Sequence, residues 1–365
     1  MTLRRTPGQV HRRYDTTLAA LEKFGSCRNM LANGCMRVAQ RGTSITSATY
    51  YDNADDSYTL DRWLLLSDGD DRVDITQDTS VVPDGAYASM LLDVETVGSP
   101  SEKFGICQII EARDTARLWK NATGVVSLSF QAWSSTSPSK VENIRAAVLA
   151  WDGVADTVTS DVVSAWNAEG ANPTFAANWT AENTASNLAL GDDFKRFVIE
   201  GIKLDTAGTT NLAVFIWVDD TDLIATDPLY ITEVQLEAGQ HVTPFELRTF
   251  SEEVALCQRY FCKTFLSGTT PAQGVGLTSS LIDVGRSGSG EFVFTFAFPV
   301  QMRAQGSVTT FNPESANNDA RNNSDNTDVN CTVTHRSSSF CCITGGAADD
   351  ALDDIYVHAC AQSEM

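Results

Sequence analysis

The chain has 365 residues, 42% of them hydrophobic, which is enough for two domains or for one domain with a substantial addition. The formal net charge of −21 argues against nucleic-acid binding through the body of the protein, because phosphate neutralisation needs clustered Lys and Arg. No apolar run approaches the roughly 20 residues of a membrane-spanning helix, and the first residues lack the apolar stretch of a secretory signal.

Residues 1–28 carry Arg4, Arg5, Arg12, Arg13, Lys23 and Arg28 against only Asp15 and Glu22, a basic arm on an acidic body. Such an arm suits attachment to an acidic partner, with Arg4, Arg5, Arg12 and Arg13 as the contacting residues. Within it, Leu18, Leu21 and Phe24 share a stripe that predicts a short helix ended by Gly25.

From Asn29 the pattern turns to β. Predicted strands are 35–40, 60–66, 72–77, 87–94, 105–111, 125–133, 143–151, 194–203, 212–218 and 229–236, divided by turns such as Asp-Gly and Gly-Ser-Pro. About ten short strands without long helical periodicity indicate a β-sandwich of jelly-roll type over residues 29–248. The stretch 160–190 reads as a long loop laid over a sheet edge.

Residues 229–236 alternate with mixed faces. Gly239 breaks the run, and Thr243-Pro244 keeps the chain extended. Ser251 is then the predicted N-cap of a linking helix over 249–263, with Val254, Leu256, Cys257, Tyr260 and Phe261 as its apolar stripe. A smaller C-terminal β domain, 264–365, has predicted strands at 274–277, 291–298, 307–311, 328–334, 339–344 and 355–361. Phe292, Phe294, Phe296 and Phe298 alternate onto one face. That face must be buried in this domain or against a neighbouring chain. The segment 312–329 reads as an extended polar loop. The fold class is therefore all-β: N-terminal arm and short helix, jelly-roll sandwich, linking helix and a smaller β domain.

Catalytic signatures are absent from the sequence. His11, His241, His335 and His358 stand in no metal-ligand spacing, and there is no nucleophile elbow, phosphate loop or dinucleotide fingerprint. The nine cysteines form no Cys-x-x-Cys pair and are expected as buried free thiols, consistent with assembly in a reducing cytoplasm. Asp68, Asp70 and Asp71 offer oxygens of the kind a structural calcium takes. Their order departs from the EF-hand loop, so a solvated acidic turn with no cofactor is the expectation. Of seven tryptophans, Trp63, Trp133, Trp151 and Trp217 lie inside predicted strands and are assigned to the core. Trp119, Trp166 and Trp179 lie at strand ends or in loops and are the candidate ligand-stacking rings.

Three runs carry a resemblance. The first is Asn29, Leu31, Asn33-Gly34, Gln40-Arg41-Gly42-Thr43-Ser44 and Tyr58 to Trp63. The second is VQLEAGQHVTPFELR followed by ALCQRYF, Val234 to Phe261, and the third is Phe298 to Ala304, which departs from the expected pattern at Gln305. Together they resemble the carbohydrate-binding-module-like jelly roll and small C-terminal domain of bacteriophage tail-fibre and related virion proteins. The resemblance covers about residues 29–365. It implies a virion protein assembled in the host bacterial cytoplasm. The expected form is a short tail fibre or receptor-binding protein, a homotrimer, that contacts host surface glycans without catalysis. It would be held to other virion proteins by the arm, with no nucleic acid and no membrane insertion. The alternatives are a purely structural head fibre, capsid decoration or tail adaptor, and, less favoured, a polysaccharide depolymerase.

Overall fold

The computed structural model describes residues 28–95, 103–120, 124–135, 141–158, 161–284, 291–346 and 353–365. The basic arm, its predicted helix and Arg4, Arg5, Arg12 and Arg13 lie outside the described residues.

Two antiparallel sheets make the sandwich. The first runs, in spatial order, Ser44–Ile45, Val73–Asp78, Ser89–Val94, Pro228–Ala238, Val125–Trp133 and Lys195–Lys203. The second runs Trp179–Ala181, Asn143–Trp151, Asn211–Val218, Phe104–Ile110, Leu64–Ser67 and Ser57–Tyr58, with Leu188–Ala189 also on Asn143–Trp151. Their facing sides bury Leu128, Phe130, Ile75, Leu92, Ile106, Val148 and Val214 in one core. At about 25 cal/mol per Å² of apolar surface, such side chains each contribute on the order of 2 kcal/mol.

The mixed alternation of Pro228–Ala238 is resolved by a bulge. Glu233 takes a left-handed backbone (φ 50°), and the pairing with Val125–Trp133 shifts register between Thr232 and Gln235. The extra residue flips the side-chain period. Leu229 and Ile231 point inward before it, and Val234 and Leu236 point inward after it. Gly34 closes against the bulge: its carbonyl accepts from Val234 N, and a Cβ there would sit 2.1 Å from Val234 O.

The predicted strand 35–40 is not one. Asn33 and Met36 have positive φ, and the Asn33 side chain ties the turn by bonding Val38 N, Val38 O and Asp61 O. Helix α1 (Ala112–Lys120) fills the stretch between two predicted strands. It buries Thr115 and Leu118 at the sandwich. The N-cap of helix α2 (Phe250–Gln258) is Thr249, two residues before the expected Ser251, because Thr249 and Glu252 form a reciprocal capping box. It also ends early, and Phe261–Lys263 is a strand on Asp354–Gln362.

The C-terminal strands centre on Asp354–Gln362, with Glu291–Ala297, Phe340–Gly346 and Cys331–Thr334 as a second sheet. Phe292, Phe294 and Phe296 are buried here against Ile343, Val357 and Ala359. The phenylalanine face is therefore consumed inside the chain and is not free for a subunit interface. The polar segment 312–329 holds a hairpin, Ala320–Asn322 with Thr327–Val329, fixed by Arg321–Asp328 and by Asn322 accepting from Ser324 N and Asp325 N. The eight described cysteines are free thiols, six of them buried.

The three family-like runs meet at one joint. Glu364 lies between the buried Arg41 (3.0 Å) and Arg62. Arg62 lies 3.5 Å from the Tyr260 ring centroid, and Arg41 lies 4.1 Å from that of Phe261. Asp61 does not pair with the adjacent Arg62 but accepts from Gln40 N and Gln40 Nε2. Gln40 Nε2 also donates to Phe261 O, and Trp63 Nε1 donates to Asn33 O. Arg303 donates to Ser363 O and Glu364 O, and Tyr58 OH donates to Met365 O.

Replacing Glu364 by Ala strands two buried guanidiniums, and urea unfolding is expected to show a loss of roughly 3–5 kcal/mol. Arg113, paired to Glu111 but 65% exposed, is the control, with Arg113→Ala costing less than about 1 kcal/mol. Equal effects would contradict the reading of the joint.

Candidate functional site

The two outer faces of the sandwich differ. Outside the second sheet, Trp151, Trp179, Phe215, Trp217, Val158, Val162 and Met365 form a further core, with Trp166 and Phe175 packed on it. Residues 161–190 therefore cover a sheet face as well as adding the edge strand Trp179–Ala181.

The first sheet keeps polar side chains outside. One row crosses its strands: Thr76 faces Leu91, Leu91 faces Tyr230, and Tyr230 faces Trp133. Phe194 completes the row beside Trp133. The Trp133 and Tyr230 rings stack at 5.3 Å and 26°, and the Phe194 centroid lies 5.9 Å from that of Trp133. All three rings are half-buried. Polar positions flank the row. Gln131 lies between Thr232 and Arg196 in register and donates to Glu233, and Asp78 lies opposite Ser89. On the other side, Asp74 lies opposite Asp93. Ring faces bordered by amide, hydroxyl and carboxylate groups suit the apolar faces and hydroxyl rims of sugars.

The candidate residues from the sequence lie elsewhere. Trp119 packs from α1 against the main core. Trp166 sits by Phe215 at 5.9 Å, and Trp179 is buried beside Trp151 at 5.3 Å, both in the further core. Trp133, assigned to the core from its place in a strand, is the ring on the open face. Period-2 arithmetic gave the signal: Val126, Leu128, Phe130 and Ala132 point inward, so Trp133 points out.

Asp68, Asp70 and Asp71 do not converge. Asp70 accepts from Asp55 N, Asp71 accepts from Asn53 Nδ2, and Asp68 N donates to Lys103 O. Among the described residues no three His, Cys, Asp or Glu are grouped to hold a metal ion.

Several carboxyls are pushed up. Burial, then Asp55 and Asp161, raises Asp56 from 3.8 to about 6. Burial, then Glu95, Asp71 and Asp93, does the same to Asp74. At Asp220 burial outweighs the donated NH groups of Glu142 and Asn143, again giving about 6. These groups hold protons more tightly folded than unfolded, so stability increases as pH falls from above 6 towards 4. At lower pH the sign reverses as Glu111 protonates; there Arg259 and Tyr260 outweigh burial and hold the carboxyl low. The thermal midpoint is therefore expected to be higher at pH 5 than at pH 7.5, with Asp56→Asn and Asp74→Asn each raising the pH 7.5 value. A midpoint that falls from pH 7.5 to pH 5 would contradict this.

No protein-family model and no curated protein matches the chain. Among solved structures, the enzymatically active domain of tailspike protein 4 of bacteriophage CBA120 is 15% identical with a TM-score of 0.33, over 58% of this chain and 22% of that one. The carbohydrate-binding module TmCBM61, in complex with β-1,4-galactotriose, is 12% identical at 0.31, over 59% of this chain and 99% of that one. The CBM22-1 xylan-binding domain from Paenibacillus barcinonensis Xyn10C is 12% identical at 0.31, over 59% of this chain and 96% of that one. Identities this low speak to fold alone, and scores this low leave even the fold to be argued from the sheets themselves, which make an all-β sandwich.

Proposed function

We propose that this protein binds host surface glycans on the open face of its six-stranded sheet, without cutting them, as a short tail fibre or receptor-binding protein of a bacteriophage. The observation that carries the binding reading is the row Phe194, Trp133 and Tyr230, three half-buried rings aligned across neighbouring strands and edged by hydrogen-bonding groups. A row of rings, rather than one, suits a chain of sugars. The virion placement and the trimer rest on the resemblance of the three sequence runs, and the role of the arm rests on its excess of positive charge over residues 1–28.

The carboxylates near the row support binding over hydrolysis. Glycosidase pairs sit about 5–9.5 Å apart, with their pKa values pushed in opposite directions. Asp78 is held low by Ser80 and Val81 donors against burial, while Asp93 is raised by burial and by Glu95 and Asp227. Asp78 faces Ser89, four residues from Asp93 along one strand, so the two are about 13 Å apart at 3.3 Å per residue. Asp74 directly faces Asp93, but both are raised together.

Trp133→Ala and Tyr230→Ala are each expected to weaken binding to host polysaccharide roughly thirtyfold, as truncating an aromatic anchor costs about 2 kcal/mol. No new reducing ends should appear on long incubation. Unchanged affinity in both variants removes this face as the site, and new reducing ends make the protein a depolymerase. Deleting residues 1–13 should leave the thermal midpoint unchanged and abolish incorporation into particles. Normal incorporation would end the attachment role.

A further inference from the structure

A groove of 730 Å³ opens between the sandwich and the C-terminal unit, beside α2. In a chain with 47 acidic residues, the described residues lining it include Arg37 and Lys263 but no aspartate or glutamate. The Arg37 guanidinium lies over two rings, Tyr87 at 5.3 Å and Phe250 at 5.5 Å, which are 60% and 47% exposed. Its Nε is buried without an acceptor, and it forms no ion pair among the described residues. Stacking uses the faces of the guanidinium and leaves its edge, the fork that pairs with carboxylates, for another partner. Lys263 donates to Thr269 O, which occupies one of its three donors. Asp61, whose charge reaches Lys263, is buried behind Gln40 and takes that residue's NH groups. Two cations in a groove whose described lining has no carboxylate favour an anion there.

We propose that this groove is a second saccharide site, selective for a sugar that carries a carboxylate. Arg37 grips the carboxylate, Lys263 adds a second positive charge, and the exposed Tyr87 and Phe250 rings flank the sugar. The site shares no residue with the Trp133 row, so either can fail without the other.

The test is calorimetric titration of the intact protein with two acidic probes, tetragalacturonate and α2,8-linked disialic acid, each against its methyl ester. At least one acid is expected to bind tenfold or more tightly than its ester. Arg37→Gln and Lys263→Met should each remove most of that difference, and Trp133→Ala should leave it intact. Arg37→Lys keeps the charge and the ring contacts without the fork, so it should lose part of the difference even if Arg37→Gln folds poorly. The proposal is overturned if neither acid is preferred to its ester, or if the preference survives both Arg37→Gln and Lys263→Met. It is also overturned if Arg37→Gln changes the sedimentation coefficient while sugar affinity is unaltered, which would give the groove to an acidic segment of a second copy.

Discussion

The structure turns on one buried carboxylate. Glu364 pairs with both Arg41 and Arg62, two guanidiniums that are 1% and 2% exposed, and the buried Asp61 adds a second negative charge that acts on Arg41. A lone buried charge is very costly, so each of the three requires the others. The rings of Tyr260 and Phe261 complete the coordination from the start of the C-terminal unit. Sandwich, helix α2 and C-terminal sheet are thus fitted around a shared polar centre rather than joined by a flexible tether. Arg248 reinforces it by donating to Asn29 O and Leu31 O, and Asn33 N donates to the buried Glu253 of α2.

Much of the fold was legible because period-2 alternation is a strong signal. The strands 125–133, 143–151 and 307–311 match the reading residue for residue. The failures have physical causes. The 35–40 run looks like a strand, but Asn33 and Met36 at positive φ make it a turn. The run through Glu233 has no single period-2 face, since the extra residue of the bulge inverts every later side chain. Helix α1 has few periodic apolar positions, and only its tertiary contacts show why it forms.

The site was less legible than the fold. Alone, Trp133 reads as one more strand aromatic, and its importance comes from Tyr230 and Phe194, 97 and 61 residues away, which pairing register sets beside it. The tryptophans in the irregular stretch seemed better placed for ligands, yet burial of the second sheet's apolar outer face required Trp166 and Trp179. Covering one face left the other as the available platform. The three family-like runs carry joint residues, so they hold the units together and name no ligand.

The long central strand of the C-terminal unit, Asp354–Gln362, leads straight into Ser363, Glu364 and Met365, which are seated in the sandwich. The two units are therefore fastened twice, once through α2 and once through this inserted tail. A load applied to either unit is shared by two parallel attachments, and the shorter path through residues 239–249 never bears it alone.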